Sequence, residues 1–199
     1  MIKIGLDVGV TRTGVVMDTD SDLHYATFHS DSAFDFSQYP TASRVADLAV
    51  EIVNWIIERD ELADDNVFII CMERPIYNKS PKNFEIQWRL FQELQGALVP
   101  WAEATYIEVN PKTVKSVAKR GGATKDEMID SSPFRDFDRG TSRNSEQYKN
   151  IEALADAYHI MRCIGKPVPQ TKVDLWDEKR PKAANPGPAM EGTIPHHTP

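Results

Sequence analysis

Three acidic residues interrupt otherwise apolar segments of the chain. Asp7 directly follows Ile-Gly-Leu, Glu73 directly follows Ile-Ile-Cys-Met, and Asp156 lies between two alanines within an apolar helical stripe. A carboxylate in such surroundings is costly unless it is paired or binds a cation. Each acid alone has an ordinary explanation as a helix cap or a loop anchor. A catalytic hypothesis therefore requires that the three acids meet in space.

Three carboxylates that meet in space would form a binding site for divalent metal. Converging carboxylates repel one another, so they need a cation to stay ionised. Carboxylate oxygens are hard ligands, which favours Mg²⁺, with Mn²⁺ as a substitute, over zinc. Two such ions about 4 Å apart activate water and stabilise the leaving oxygen of a phosphodiester. The sequence thus predicts a hydrolytic metal centre at Asp7, Glu73 and Asp156.

Predicted strands and helices place Asp7 and Glu73 at strand ends and Asp156 within the last helix. Apolar alternation predicts strands at 2–7, 13–18, 23–29, 67–72 and 104–109, and helical spacing predicts helices at 42–59, 83–102, from 110 to the glycines at 121 and 122, and 148–164. Residues 130–147 are polar and predict a loop or a lid. We expect an α/β domain whose mixed sheet, antiparallel then parallel, has helices on both faces.

Composition indicates one folded domain followed by a tail. The chain has 199 residues, and seven of its 13 prolines fall in the last 35. We expect a folded domain over 1–164 and a disordered tail over 165–199. The only two cysteines, Cys71 and Cys163, lie in apolar or helical segments, so a disulfide framework is not expected. No membrane span or signal peptide is predicted.

The charge of the chain is uneven. The formal net charge is -7, yet residues 1–65 carry four Lys and Arg against 13 Asp and Glu, so the later part is slightly basic. Between Asn110 and Lys125 there are five basic residues and no acid. We expect this segment to contact phosphates, with three lysines along one helix face. The five basic residues are Lys112, Lys115, Lys119, Arg120 and Lys125.

An ordered set of motifs resembles the RuvC-type Holliday-junction resolvases of the RNase H-like superfamily. Residues 4–9 (Ile-Gly-Leu-Asp-Val-Gly) with Thr13-Gly14 are similar to the family's opening motif, and Met72-Glu73 matches its second acid. Residues 110–115 and 121–128 are similar to the Pro, Val-Lys, Gly, Ala, Lys and Met pattern of that family. Ala155-Asp156-Ala157 resembles its last helix. The resemblance spans residues 1–164 in order.

The resemblance implies metal-dependent cleavage of branched DNA by a homodimer in the bacterial cytoplasm, whether the gene belongs to a bacterium or to a phage. Asp7, Glu73 and Asp156 would be the metal ligands. The family's fourth ligand lies three residues before its last Asp, where this chain has Ala153. Glu152 is our substitute for it, since helical spacing puts it on the face of Asp156.

Two further residues follow from the comparison with the family pattern. His159 shares the face of Asp156 and is an alternative fourth ligand, although a packed histidine is the commoner outcome. Tyr77 stands one residue beyond the position of the family's aromatic wedge. We expect Tyr77 to stack on a base near the junction, or else to be an ordinary surface tyrosine.

Three other functions stay open from the sequence. Residues 5–14 also resemble the phosphate loop of actin-like and sugar-kinase ATPases, but those enzymes need two such domains and a second Gly-rich loop, for which this chain is short. A nuclease of the same superfamily acting on RNA would share the same acids. A non-catalytic module that binds branched DNA is favoured by Ala153 and disfavoured by the three intact acids.

Overall fold

A mixed sheet forms the centre of the computed structural model, which describes residues 1–9, 11–19, 21–29, 42–59, 67–75, 81–98, 105–120, 122–165 and 190–195. The six strands lie in the order β5-β4-β1-β2-β3-β6. They are β1 (Ile2–Asp7), β2 (Thr13–Asp18), β3 (Asp22–Phe28), β4 (Phe68–Glu73), β5 (Thr105–Val109) and β6 (Glu191–Pro195). The helices are α1 (Ala42–Glu58), α2 (Pro81–Leu98), α3 (Pro111–Ala118), α4 (Lys125–Asp130) and α5 (Glu146–Met161).

The sheet topology confirms the predicted fold class. Strands β1, β2 and β3 pair antiparallel as a meander, and β4 and β5 add to β1 in parallel. Parallel neighbours require crossover connections, and α1 and α2 lie between the parallel strands in the chain. The carboxyl ends of β1, β4 and β5 therefore meet at one edge of the sheet.

Alternation along the strands divides the helices between the two faces of the sheet. Ile2, Ile4 and Leu6 of β1 pack with α1 and α2 in one apolar core. The opposite face carries α5, together with α3 and α4, in two further clusters. Because side chains alternate, Gly5 and Asp7 fall on the face of α5. This alternation puts the acid at the end of β1 under the last helix.

Helix α5 lies directly against the sheet because two glycines leave room for its backbone. A Cβ atom built at Gly5 would lie 2.1 Å from the carbonyl oxygen of Ala157, and one at Gly14 would lie 2.2 Å from that of Ala153. Both distances are far below van der Waals contact. The glycines on β1 and β2 thus set how closely the acids of α5 approach Asp7.

Gly14→Ala is expected to destabilise the protein by about 3 kcal/mol, because the added methyl must push α5 off the sheet. Chemical denaturation measures this loss of unfolding free energy. Gly96→Ala is the matched control, since a Cβ there meets nothing within 4 Å. The control substitution lies within α2 and should stabilise the protein by about 0.5–1 kcal/mol. Equal stability of the two variants would contradict this packing.

The disordered tail predicted for residues 165–199 is wrong at residues 190–195. There β6 pairs antiparallel with β3, and the backbone N–H of Met190 donates to Oγ1 of Thr27 at 2.8 Å. Without β6, strand β3 would expose a row of unpaired backbone groups at the sheet edge. Residues 166–189 and 196–199 lie outside the described residues.

Several smaller boundaries differ from the sequence prediction. Helix α3 ends at Ala118, where we expected it to continue to the glycines, and α5 begins two residues earlier than predicted. The segment between α4 and α5 has no helix or strand, as expected for a loop, and its Phe134 is completely buried. Cys71 and Cys163 are both free and buried. No helix among the described ranges combines the length and apolarity that a membrane span needs.

Candidate active site

The first two acids occupy equivalent positions at the ends of adjacent parallel strands. Leu6 of β1 is opposite Met72 of β4, so Asp7 and Glu73 each follow the last residue that is paired between these two strands. Both side chains are partly buried. Cys71, two residues before Glu73, packs in the cluster with α3 and α5, so Glu73 faces the same side of the sheet as Asp7.

Helix α5 brings two further carboxylates to this edge. It packs across β1, β2 and β4, and its Ser145 N-cap accepts a hydrogen bond from the backbone N–H of Tyr148 at 3.2 Å. Glu152 and Asp156 are one helical turn apart on the face toward Asp7. Both are partly buried, whereas the apolar residues around them are completely enclosed.

The four carboxylates line one cavity of about 590 Å³. Lys115 from α3 and Lys125 from α4 form part of its wall, and Gln87 of α2 reaches it from the other face of the sheet edge. The lining residues are Asp7, Val8, Gly9, Glu73, Arg74, Pro75, Gln87, Pro111, Val114, Lys115, Lys125, Met128, Glu152 and Asp156. The cavity thus combines clustered acids with a basic side.

Burial and mutual repulsion raise the pKa of three of these acids. Desolvation, followed by the charges of Asp156, Glu73 and Glu152, raises the pKa of Asp7 well above its usual value. Desolvation and then Asp156 raise the pKa of Glu73 to about 7. Desolvation and then Glu152 raise the pKa of Asp156 to about 7. Such shifts are typical of sites where charge is concentrated for a function.

Two lysines partly offset this negative charge. The ammonium of Lys125 pairs with the carboxylate of Glu152, and its charge also lowers the pKa of Asp7 and Asp156. Lys115 acts in the same direction on Glu73 and Asp156. The two ammonium groups therefore lower the pKa values of the acids, but these values stay above the usual range because burial and mutual repulsion have the larger effect.

The donor set of the cavity fits hard divalent cations. Its candidate ligands are carboxylate oxygens, which Mg²⁺ and Mn²⁺ prefer, and no thiol or imidazole is among the lining residues. Within the described ranges, no three or more His, Cys, Asp or Glu side chains stand in an arrangement that could hold a metal ion as they are. The acids share a cavity without forming a closed cage, so ion binding would have to draw them inward.

The predicted phosphate contacts separate into two groups. Lys115 and Lys125 line the cavity. Lys119 does not continue the helical stripe, because it is the extended residue that caps α3, and its ammonium pairs with Glu127. Lys112 and Arg120 are exposed beyond the cavity. Tyr77 lies outside the described residues, so its stacking role stays a prediction.

His159 is not placed as a fourth ligand. It is completely buried, and its Nε2 donates to the carbonyl oxygen of Met128 at 2.9 Å. Desolvation lowers its pKa, so the ring is held neutral. The side chain instead joins α5 to α4. Of the two alternatives for a fourth ligand, Glu152 and His159, only Glu152 lines the cavity. Ala153, which stands where the family pattern has its acid, lies against Gly14.

Sequence reasoning missed Arg12, Lys149 and Gln87. Arg12 and Lys149 line a second, smaller cavity that also includes Asp7 and Glu152. A cation inside the turn that follows Asp7 was the available signal for Arg12. Gln87 stands among apolar residues of α2, which was a weaker signal of the same kind.

Cation affinity is expected to rise steeply between pH 6 and pH 8. Protons compete with a metal ion for carboxylates, and Glu73 and Asp156 each have a pKa of about 7. Both are mostly protonated at pH 6 and mostly ionised at pH 8, so each should contribute about tenfold in affinity. Calorimetric Mg²⁺ titrations at the two pH values measure this change. An affinity independent of pH over that range would contradict it.

The comparisons with known proteins agree with the topology. No protein-family model matches the sequence, and no curated protein matches it. A solved structure of Thermus thermophilus RuvC in complex with a Holliday junction substrate matches with a TM-score of 0.55 and 14% identity, over 81% of this chain and 90% of that chain. A second structure of T. thermophilus RuvC matches with a TM-score of 0.52 and 16% identity, over 81% of this chain and 91% of the other. The chain therefore has the RNase H-like fold of the RuvC resolvases.

Proposed function

We propose that the protein is a metal-dependent endonuclease that cleaves Holliday junctions or other branched DNA. The observation that carries the proposal is one cavity lined by four carboxylates from β1, β4 and α5 and by two lysines. The acids are clustered and have raised pKa values, and the lysines beside them can bind a phosphate. This arrangement suits phosphodiester hydrolysis. A net positive charge of the whole chain is not needed for DNA binding, because the basic groups lie next to the acids in this cavity.

Asp7, Glu73 and Asp156 would hold Mg²⁺, with Glu152 as the fourth ligand. What a divalent cation supplies in such a site is activation of water and neutralisation of the charge on the phosphate. The carboxylates must then be ionised, which their raised pKa values oppose in the metal-free protein and a bound cation favours. Helix α5 contributes two ligands from one turn, and the strand ends contribute the other two.

Lys115 and Lys125 would bind the scissile phosphate on the basic side of the cavity. An ammonium beside a phosphate stabilises the negative charge that grows in the transition state of an in-line displacement. Lys125 pairs with Glu152 in the present structure. Substrate binding would exchange this partner for a phosphate oxygen and free the Glu152 carboxylate to act as a ligand.

Branched DNA is the favoured substrate for two reasons. The solved RuvC with the matching fold is bound to a Holliday junction substrate, and the ordered motifs of this chain resemble that family. Symmetric cleavage of a junction needs two active sites, so we propose a homodimer that cuts two opposing strands. The apolar face expected around residues 83–102 is not free for this interface over α2, because Ile86, Leu90 and Leu94 are buried in the core. The interface would therefore use the outward side of α2.

A substrate panel tests the proposal. Labelled four-way junction, flap, linear duplex and RNA–DNA hybrid are each incubated with the protein in Mg²⁺ or in EDTA. We expect paired nicks on the junction that require Mg²⁺. Cleavage of the hybrid alone would favour the RNA-directed alternative. Tight junction binding without cleavage would favour a non-catalytic module, which Ala153 at the family's acid position also allows.

Glu152→Gln is expected to lower the cleavage rate by about 10–100-fold, because it weakens metal affinity without removing the central ligands. The substitution keeps the size of the side chain and removes its charge. Single-turnover rates at saturating junction measure the effect, and raising Mg²⁺ should recover part of the loss. A wild-type rate in this variant would exclude Glu152 as the fourth ligand.

A further inference from the structure

A second cavity, of about 230 Å³, adjoins the carboxylate cavity and shares Asp7 and Glu152 with it. Its remaining wall is formed by Arg12, Lys149 and Ala153. We propose that this cavity binds a phosphate group of the substrate strand next to the cleaved one, through the Arg12 guanidinium and the Lys149 ammonium. The inference rests on the proposed function and adds a second anchoring point for the same strand.

Arg12 is held in an environment that suits anion binding. Its side chain is only 12% exposed, and its guanidinium pairs with Glu146. Within the described residues, Nε of Arg12 is buried with no hydrogen-bond partner. A guanidinium has five N–H donors and can bind a carboxylate and a phosphate oxygen together. Burying a cation is costly, so an anion that satisfies its remaining donors would bind favourably.

Lys149 adds a second cation on the same wall. It lies one helical turn after Glu146 in α5, and its Nζ is 3.1 Å from Oε1 of that residue. Glu146 thus holds both cations in place while it neutralises only one of them. Counted alone, this ion-pair set of two cations and one carboxylate has a single positive charge, while Asp7 and Glu152 line the same cavity. A phosphate oxygen on the Arg12 and Lys149 side would pair with the cation that Glu146 leaves without a full counter-charge.

The position of the second cavity extends the path of a nucleic-acid strand. Lys115 and Lys125 border the carboxylates on the side of α3 and α4. Arg12 and Lys149 border the same carboxylates on the side of the β1–β2 turn and the start of α5. A strand whose cleaved phosphate lies over Asp7 can therefore meet cations both before and after that point.

The competing explanation is that Arg12 only anchors the β1–β2 turn to α5 through Glu146. The two explanations differ in what removing Glu146 does. If Arg12 is an anchor, Arg12→Gln and Glu146→Gln break the same ion pair and have the same effects. If Arg12 binds phosphate, Glu146→Gln removes the carboxylate that pairs with both cations, so it should tighten DNA binding while Arg12→Gln weakens it.

Binding of labelled four-way junction in EDTA, measured by fluorescence anisotropy over a range of KCl concentrations, tests the inference. We expect the slope of log affinity against log salt to fall by about 0.9 in Arg12→Gln and in Lys149→Gln. Arg12→Lys, which keeps the charge, should retain the slope of the wild type. Glu146→Gln should bind the junction more tightly than the wild type at every salt concentration.

Two results would overturn the inference. One is an unchanged slope in both charge-removing variants, and the other is equal weakening by Arg12→Gln and Glu146→Gln. Thermal melting identifies a variant that does not fold, and Lys149→Gln, at a half-exposed surface position, then decides the question alone. Because binding is measured without metal, these results are separate from cleavage. A wild-type protein that binds no DNA would instead refute the proposed function together with this inference.

Discussion

Asp7→Asn is expected to abolish junction cleavage, with a loss of at least about 10³-fold, while junction binding persists. Asp7 lies between the acids of β4 and α5, and three other carboxylates act on its pKa. Asn keeps the shape of the side chain and removes the charge that a divalent cation needs. Single-turnover cleavage and binding in EDTA measure the two properties separately. Loss of binding in a folded variant would count against the assignment.

The same substitution should stabilise the metal-free protein. When folding raises the pKa of a carboxyl group, the protein becomes less stable as the pH rises from the unfolded pKa to the folded pKa. The reason is that the group ionises first in the unfolded chain. At pH 8 the variant should therefore be more stable by about 1 kcal/mol, or about 2–4 °C in melting temperature. Asp136→Asn is the matched control, since that side chain is 85% exposed, and it should change neither property. A destabilised Asp7→Asn would contradict the electrostatic strain described for the cavity.

The double variant Lys115→Ala with Lys125→Ala should reduce cleavage by about 10²–10³-fold and weaken DNA binding. Both ammonium groups border the acids on the side of α3 and α4, where the scissile phosphate is proposed to lie. Each lost phosphate contact should lower the salt slope of binding by about 0.9, so the pair should lower it by about 1.8. Anisotropy titrations over KCl concentration measure the slope.

Lys3→Ala is the matched control for these lysines. Lys3 lies near the amino end of β1, at the opposite end of that strand from Asp7, and its ammonium is 3.6 Å from a carboxylate oxygen of Asp18. Its removal should leave the slope and the cleavage rate as they are. If the double variant kept the slope of the wild type, the basic side of the cavity would not be a phosphate site.

The acids of the strand ends were predictable from sequence because strands impose strict geometry. An apolar run that ends in an acid places that acid at the strand terminus, and parallel strands align their termini. The register of Leu6 with Met72 confirms that Asp7 and Glu73 are neighbours. Asp156 was placed by the 3.6-residue period of a helix that had to cover an apolar sheet. These features depend only on local pattern and element order.

Other features depended on tertiary contacts that a single sequence does not reveal. Lys119 leaves the helical stripe because the backbone becomes extended at the end of α3, and its ammonium forms an ion pair with the carboxylate of Glu127. His159 is buried because α4 covers it, and the backbone carbonyl oxygen of Met128 accepts a hydrogen bond from its ring. Strand β6 forms because distant Glu191–Pro195 can complete the β3 edge. Each outcome is decided by residues far away along the chain.

The most direct measurement is an anomalous diffraction map of crystals soaked in Mn²⁺, because manganese scatters anomalously and substitutes for magnesium in oxygen sites. We expect peaks among the carboxylates of Asp7, Glu73 and Asp156, and we expect them to disappear in crystals of Asp7→Asn. Peaks only elsewhere, or none at concentrations that support cleavage, would show that these acids hold no catalytic metal.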